Sequence, residues 1–201
     1  SYYENYGFSV RCLKGESPSS DTPQSSSSST SVSRSSAQKT LTDSRDGQTY
    51  RTVKIGSQTW MAENLNVKTK DSWCYDDEES NCKKYGRLYT WDAAMEACPS
   101  GWHLPSKSEF ETLIEAVGGE SKAGKMLKSE TGWIESGHGT DAYAFSALPT
   151  GYRKLNGNFN DEGRYAYFWS STENNSSYAY RMNLYYYNVD ALLSSYYETL
   201  C

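Results

Sequence analysis

TWDAAMEACPSGWHLPSKSEFETLIEAVGG, residues 90–119, predicts two short helices joined by a sharp corner, and we expect the rest of the domain to be organised around them. Thr90 is suited to cap the first helix, and Pro99-Ser100-Gly101 ends it. Ser106 and Glu109 form a capping box at the start of the second helix, and Gly118-Gly119 follow its end. Helical spacing predicts that each helix buries one apolar stripe, made by Trp91, Ala94, Met95 and Cys98 and by Phe110, Leu113, Ile114 and Val117. His103 in the corner is expected to be a packed or solvated residue rather than a metal ligand or a general base.

The composition argues against several classes of partner. The chain has 201 residues and a formal charge of −5, which does not favour a nucleic-acid backbone or an anionic membrane. It contains no run of about 18 apolar residues, so no membrane insertion is expected. The 18 tyrosines and six tryptophans are typical of secreted, sugar-facing or adhesive domains. No signal peptide opens the sequence at Ser1, and we expect it to be a part of a longer protein.

Two of the five cysteines bracket a short acidic loop. Cys74 and Cys82 are separated by seven residues, which excludes a CxxC redox motif and predicts a local disulfide. A zinc site would need more ligands than two cysteines and a distant histidine. A disulfide indicates an oxidising compartment, so we expect an exported protein, extracellular or at the cell surface.

The sequence divides into three segments. Residues 1–15 predict one strand, with Phe8 and Val10 alternating with polar residues, and a lone strand must pair with something. Residues 16–40 form a Ser-rich linker that lacks apolar groups, so it is expected to be flexible, either as an O-glycosylated spacer or as a bare tether. Residues 41–201 form the folded domain.

The sequence of this domain predicts an α+β fold with small antiparallel sheets and a loop-rich second half. Turns are expected at Asp46-Gly47 and Gly56-Ser57, and a short helical piece at Ala123–Leu127. A buried strand and turn are predicted over 144–151, and strands over 165–171, 178–187 and 191–197. Residues 195–198 repeat the Ser-Tyr-Tyr-Glu of residues 1–4, which predicts a tandem repeat whose neighbouring copies would be partners. Residues 1–15 would be the closing strand of a preceding copy, and residues 41–201 would be the next copy without its own last strand.

Several motifs resemble a known bacterial family, the Fibrobacter succinogenes major paralogous domain. The matching stretches include 60–65 (WMAENL), 85–91 (YGRLYTW), 98–105 (CPSGWHLP), 148–153 (LPTGYR) and 168–173 (FWSSTE). The family's closing strand usually reads GFSVRC, which here is 7–12, at the other end of the domain. Such paralogues occur on exported bacterial proteins and have no settled activity.

The resemblance implies a C-type lectin-like fold, which formylglycine-generating enzymes also use. In that fold a cysteine at the end of the first helix pairs with one in the last strand; by position these are Cys98 and Cys12. We therefore predict that residues 1–15 dock onto 41–201 as its final strand and that Cys201 stays unpaired. A swap of this strand between chains is a second outcome, and a strand that does not dock is a third.

Two kinds of binding site are considered. Asn156, Asn158, Asn160, Asp161 and Glu162, with residues 173–175, offer oxygen atoms of the kind that Ca²⁺ prefers, but ordinary turn chemistry is the favoured interpretation and no cofactor or metal is expected. Sugar rings stack on aromatic faces, and the candidate platform consists of Tyr178, Tyr180, Tyr185, Tyr186 and Tyr187. Alternation along a strand assigns half of these tyrosines to the core.

No catalytic arrangement is recognisable. There is no Ser/His/Asp order, and Glu109 and Glu111 point apart on a helix. The leading hypothesis is a non-catalytic exported binding or adhesion module for carbohydrate or a cell-surface partner. The alternatives are a structural spacer or assembly repeat without ligand, and a divergent formylglycine-generating-type oxidase.

Overall fold

The two central helices form where the capping residues predict them. In the computed structural model, which describes residues 6–15 and 39–197, α2 spans Trp91–Ala97 and α3 spans Lys107–Ala116. The Thr90 side chain accepts a hydrogen bond from the Ala93 N–H, and the capping box of Ser106 and Glu109 is complete. No helix in these two ranges is long and apolar enough to cross a membrane.

Two further helices flank the central pair. Helix α1 (Glu79–Tyr85) follows a short 3-10 turn inside the acidic loop, where no helix is expected from the sequence. Helix α4 covers Glu120–Leu127. Met95 is 43% exposed, so its placement on the buried stripe of α2 is wrong. The helix is only seven residues long, and Trp91, Ala94 and Ala97 supply its buried side.

The strands form four small sheets, and every pairing between named strands is antiparallel. The largest has the order β2-β3-β4-β1-β7, a second has the order β10-β11-β12, and the others are the pairs β5-β6 and β8-β9. The fold is therefore mixed α+β. The bounds are β1 Leu13–Lys14, β2 Thr40–Thr42, β3 Thr49–Ile55, β4 Gln58–Met61, β5 Ser72–Trp73, β6 Leu88–Tyr89, β7 Trp102–His103, β8 Tyr152–Arg153, β9 Phe159–Asn160, β10 Tyr165–Asn175, β11 Tyr178–Tyr185 and β12 Ala191–Tyr197.

One strand expected from the sequence is absent. Residues 144–151 form no strand; they are held by isolated bridges, among them the parallel bridge between Lys128 and Ala147. Ala144 and Ser146 have φ angles of 55° and 53°, which interrupt the extended backbone that a strand needs. Their neighbours Phe145 and Ala147 are nevertheless fully buried.

Residues 6–15 lie inside the domain. Phe8 pairs with Tyr89, Ser9 bridges to Phe168, and β1 inserts between β4 and β7. The alternation in the sequence predicts one exposed face, but Ser9 and Arg11 are buried as completely as Phe8 and Val10. The segment contributes to two hydrophobic clusters, one containing Leu13, Trp60 and Phe168 and the other containing Phe8, Val10 and Trp169.

The segment boundaries differ slightly from those expected. Strand β2 begins at Thr40 and Lys39 already accepts a hydrogen bond from the Thr52 N–H, so the ordered domain starts before residue 41. The rest of the Ser-rich linker and Cys201 lie outside the described residues, as do residues 1–5.

Candidate functional site

The five tyrosines of the expected platform do not form one surface. Tyr178 and Tyr180 lie on one face of β11 and Tyr185 lies on the other, because side chains alternate along a strand. The Tyr180 ring lies on the side of the sheet that faces α3, and the Lys107 ammonium is 5.3 Å from the centre of this ring. Tyr186 is partly buried against the cluster that contains Trp60.

A different set of tyrosines comes together on the opposite face of the β10–β12 sheet. The rings of Tyr185 and Tyr187 are parallel, 5.4 Å apart with an interplanar angle of 8°, and Tyr165 meets both at its edge, 5.2 and 6.4 Å away. Tyr187 is 64% exposed. We call this surface the tyrosine face; it consists of Tyr6, Tyr152, Tyr165, Tyr185, Tyr187 and Tyr196.

The buried ring of Tyr167 connects the two halves of the tyrosine face. It lies 6.2 Å from Tyr185 and 5.6 Å from Tyr152. Tyr6, from the docked N-terminal segment, then contacts Tyr152 at 6.2 Å and Tyr196 at 4.8 Å. The face is therefore built from the N-terminal segment, β8, β10, the end of β11 with the turn after it, and β12.

Arg181 of β11 lies beneath the tyrosine face. Its guanidinium carbon is 4.0 Å from the ring centre of Tyr167, 3.9 Å from that of Tyr196 and 4.6 Å from that of Phe8. Arg181 is 7% exposed, and its buried Nε has no hydrogen-bond partner in residues 6–15 and 39–197. Burial lowers the pKa of Arg181 from its ordinary value.

Three phenol groups of the tyrosine face are partly desolvated by the neighbouring rings. Burial raises the pKa of Tyr152, Tyr165 and Tyr185 above the ordinary value for a phenol. A phenol both donates and accepts hydrogen bonds, as the hydroxyl groups of a sugar do. The face therefore offers ring surfaces for stacking together with neutral polar groups at their rims.

Apart from the tyrosine face, the domain contains a polar cavity of about 520 Å³. Some of its charged groups have partners: Arg51 pairs with Glu63 at 3.2 Å, and the Asp141 carboxylate accepts hydrogen bonds from the backbone N–H and the hydroxyl group of Ser146. The buried Asn66 Oδ1 in its lining has no hydrogen-bond partner in the described residues.

Several of the residues considered for Ca²⁺ accept hydrogen bonds from other residues of the domain. Asn156 Oδ1 accepts from the Asn158 N–H, and Asn160 lies in β9 opposite Tyr152. The Glu162 carboxylate accepts from the Tyr85 hydroxyl at 2.6 Å, and Asp161 has a φ of 67° in the turn that precedes β10. Asn174 Oδ1, in the other candidate stretch, accepts from the Tyr180 hydroxyl.

Clusters of acidic, histidine and cysteine ligands are scarce in the described ranges. The one group of three such residues with ligand atoms close together is Cys74, Glu79 and Cys82. Its two sulfur atoms are bonded to each other, so they are not free thiolates.

The two disulfides among the described residues join the expected pairs, one expected from spacing and the other from the family resemblance. Cys74 bonds Cys82, and Cys12 bonds Cys98, with Cα–Cα distances of 4.8 and 5.8 Å. The second bond ties the N-terminal segment to the end of α2. His103 Nε2 lies 2.8 Å from the Glu109 carboxylate that completes the capping box, which gives this histidine a structural partner.

Sequence reasoning missed Arg181 and four of the six tyrosines of the tyrosine face. The alternation in YAYFW, residues 165–169, places Tyr165 and Tyr167 on one strand face, and YAYRMNLY, residues 178–185, places Arg181 with Tyr185. Which of these side chains share one surface depends on the register between β10 and β11, and the sequence does not give that register.

The fold and disulfides define a small disulfide-bonded α+β domain with an aromatic surface. The sequence model of the Fibrobacter succinogenes major domain family matches residues 53–198, so the chain belongs to this family. No curated protein and no solved structure matches the chain.

Proposed function

We propose that this chain is a non-catalytic, exported binding module that binds carbohydrate on the tyrosine face. The observation that carries the proposal is the parallel pair of Tyr185 and Tyr187, 5.4 Å apart, with Tyr165 at their edge. Exposed aromatic rings stack on the apolar faces of sugar rings, and phenol groups hydrogen-bond to sugar hydroxyl groups.

The proposal includes a C-type lectin-like arrangement. The closing strand lies beside the strands of the first half of the domain, and the bond between Cys12 and Cys98 ties it to the end of α2. Two disulfides suit an oxidising compartment, which supports an extracellular or cell-surface location.

Two alternatives make different demands. A structural spacer or assembly repeat needs no ligand, so an exposed tyrosine such as Tyr187 would have no role in it. A formylglycine-generating-type oxidase needs reactive thiols, and the four cysteines in the described residues are in disulfides.

Tyrosine is also enriched at protein interfaces, so a cell-surface protein is the second ligand class.

The test is a glycan array probed with the soluble full chain, followed by calorimetry with the glycans that bind. We expect Tyr187→Ser to weaken binding about tenfold, which corresponds to the loss of one stacking contact. Tyr143→Ser is the matched control, because Tyr143 is also exposed (37%) but lies outside the tyrosine face. Absence of binding to every glycan, or equal effects of the two substitutions, would contradict the proposal.

A further inference from the structure

Arg181 is a buried cation with aromatic neighbours but without a hydrogen-bond or ion-pair partner among the described residues. No hydrogen bond or ion pair joins its guanidinium group to any residue in 6–15 or 39–197, and its contacts are the rings of Tyr167, Tyr196 and Phe8. Burying a charged group without hydrogen bonds is costly, because the group gives up its contacts with water. Such a group is ready to bind an anion.

Other buried arginines in the domain differ from Arg181. Arg11 donates four hydrogen bonds, to one side chain and three backbone oxygen atoms, and Arg87 donates to the Glu79 carboxylate. Arg153 also has buried nitrogen atoms without partners, but it stacks on Trp73, outside the tyrosine face. Arg181 is the buried cation that the tyrosine face covers.

We propose that the tyrosine face selects acidic sugars and that Arg181 binds the carboxylate of a uronic acid residue. This inference rests on the proposed carbohydrate binding and adds the chemical class of the sugar. The stacked rings of Tyr185 and Tyr187 hold the sugar ring, and the guanidinium group pairs with its carboxylate.

The surroundings of the guanidinium group favour this ligand. The rings of Tyr167 and Tyr196 lie within about 4 Å of the guanidinium carbon, and these cation–π contacts do not take the place of conventional hydrogen bonds from its N–H groups. A carboxylate is planar and accepts two parallel hydrogen bonds from a guanidinium edge, which a neutral hydroxyl group does not.

The charges of the protein favour a local contact between Arg181 and an anion rather than attraction of the anion by the whole chain. The chain carries a formal charge of −5, so its overall field repels a polyanion. Burial and the charge of Asp161 together raise the pKa of Tyr165, but Asp161 forms no ion pair with Arg181. The positive charge of Arg181 is therefore available to a ligand.

The decisive experiment compares each acid with its own neutral form. Oligomers of galacturonate, glucuronate and mannuronate, each beside its methyl ester, are titrated into the full chain at 0.15 M salt. Esterification removes the charge and leaves the sugar rings unchanged. We expect at least one acid to bind about tenfold tighter than its ester, because a charge-assisted pair is lost in the ester.

The outcomes separate this inference from the proposed function. Binding of neutral glycans or esters with no preference for any acid leaves the proposed function standing and overturns the role of Arg181. Absence of binding to acids, esters and all neutral glycans overturns both. A tenfold preference for an acid supports both.

Substitutions of Arg181 give a second measurement. Arg181→Met should abolish the preference for the acid and retain affinity for the ester, and Arg181→Lys should restore only part of the preference because an ammonium lacks the planar fork. Arg164→Met is the matched control, since Arg164 is exposed and lies over Tyr186. An unchanged preference in Arg181→Met would overturn the inference. If that variant does not fold, the ester comparison on the unmodified chain still decides the question.

Discussion

Arg11 and Ser146 are 135 positions apart in the chain, yet the Arg11 Nη2 donates a hydrogen bond to the Ser146 backbone oxygen over 2.9 Å. The same guanidinium donates to Asn64 Oδ1 and to the backbone oxygens of Met61 and Phe145, and its carbon lies 4.6 Å from the centre of the Phe145 ring. The N-terminal segment thereby fixes a stretch in which Asp141, Ala144 and Ser146 all have positive φ angles.

Replacing Arg11 should destabilise the domain strongly. Arg11→Met leaves several buried acceptors without donors, at about 1–3 kcal/mol for each unsatisfied group. We expect the free energy of unfolding to fall by at least about 3 kcal/mol in urea titrations. Arg164→Met, at an exposed position, should change it by less than about 0.5 kcal/mol. Similar stability of the two variants would show that the Arg11 network contributes little.

The two disulfides should contribute unequally to stability. The bond between Cys12 and Cys98 spans 86 positions, whereas that between Cys74 and Cys82 spans eight. Chain entropy gives about 4–5 kcal/mol for the longer loop and about 2–3 kcal/mol for the shorter one. Paired Cys→Ser variants, compared by chemical denaturation, test this order, and a larger loss for the short loop would contradict it.

The capping box of α3 should weaken at acidic pH. Burial alone would raise the pKa of Glu109, but hydrogen bonds from the Ser106 N–H and from His103 outweigh it and hold that pKa below its usual range. A carboxylate with a lowered folded pKa contributes stability above its unfolded pKa, and this contribution is lost as the pH falls through the folded value.

Glu109→Gln should therefore cost about 0.5–1 kcal/mol at pH 7, and the difference from the unmodified protein should shrink as the pH falls below about 4. Thermal unfolding at a series of pH values measures this difference. Glu115→Gln, on an exposed part of the same helix, should show no such pH-dependent difference. A constant difference for Glu109→Gln would exclude the charged cap as its cause.

Gly124 should not tolerate alanine, although it lies inside helix α4. Helix propensity favours alanine over glycine by about 1 kcal/mol. However, a Cβ atom at this position would lie 2.1 Å from the backbone oxygen of Asp190, in the turn before β12. We expect the clash to exceed the gain, so Gly124→Ala should lower the melting temperature. Ser121→Ala, on the exposed side of α4, should leave it unchanged or raise it slightly.

Limited proteolysis should distinguish the linker from the docked segment, because only the linker is expected to be cut early. The composition of residues 16–40 predicts that trypsin cuts there first, for example after Arg34. Because Phe8, Val10 and Leu13 are buried and Cys12 is bonded to Cys98, the N-terminal peptide should stay bound after cleavage without reductant. Non-reducing and reducing gels, with mass spectrometry, measure this retention. Loss of the peptide under non-reducing conditions would contradict the docked arrangement.

Local chemistry was readable from the sequence. Thr90 and Ser106 set the starts of α2 and α3 because a cap acts on N–H groups within one helical turn. The pairing of Cys74 with Cys82 followed from their spacing, since a short loop brings its own ends together. The pairing of Cys12 with Cys98 came from the resemblance to the family and not from spacing.

Elements whose causes lie within a few residues follow from the sequence alone: the central helices, the turn of the β3–β4 hairpin, and strands β10 to β12. Which tyrosines share a surface follows only from the packed fold, because it depends on the register between β10 and β11 and on the turn after Tyr185. The packed fold also gives Arg11 its hydrogen-bond partners and leaves Arg181 without them among the described residues. Burial and hydrogen bonding depend on groups that lie far away in the chain, and packing alone brings those groups together.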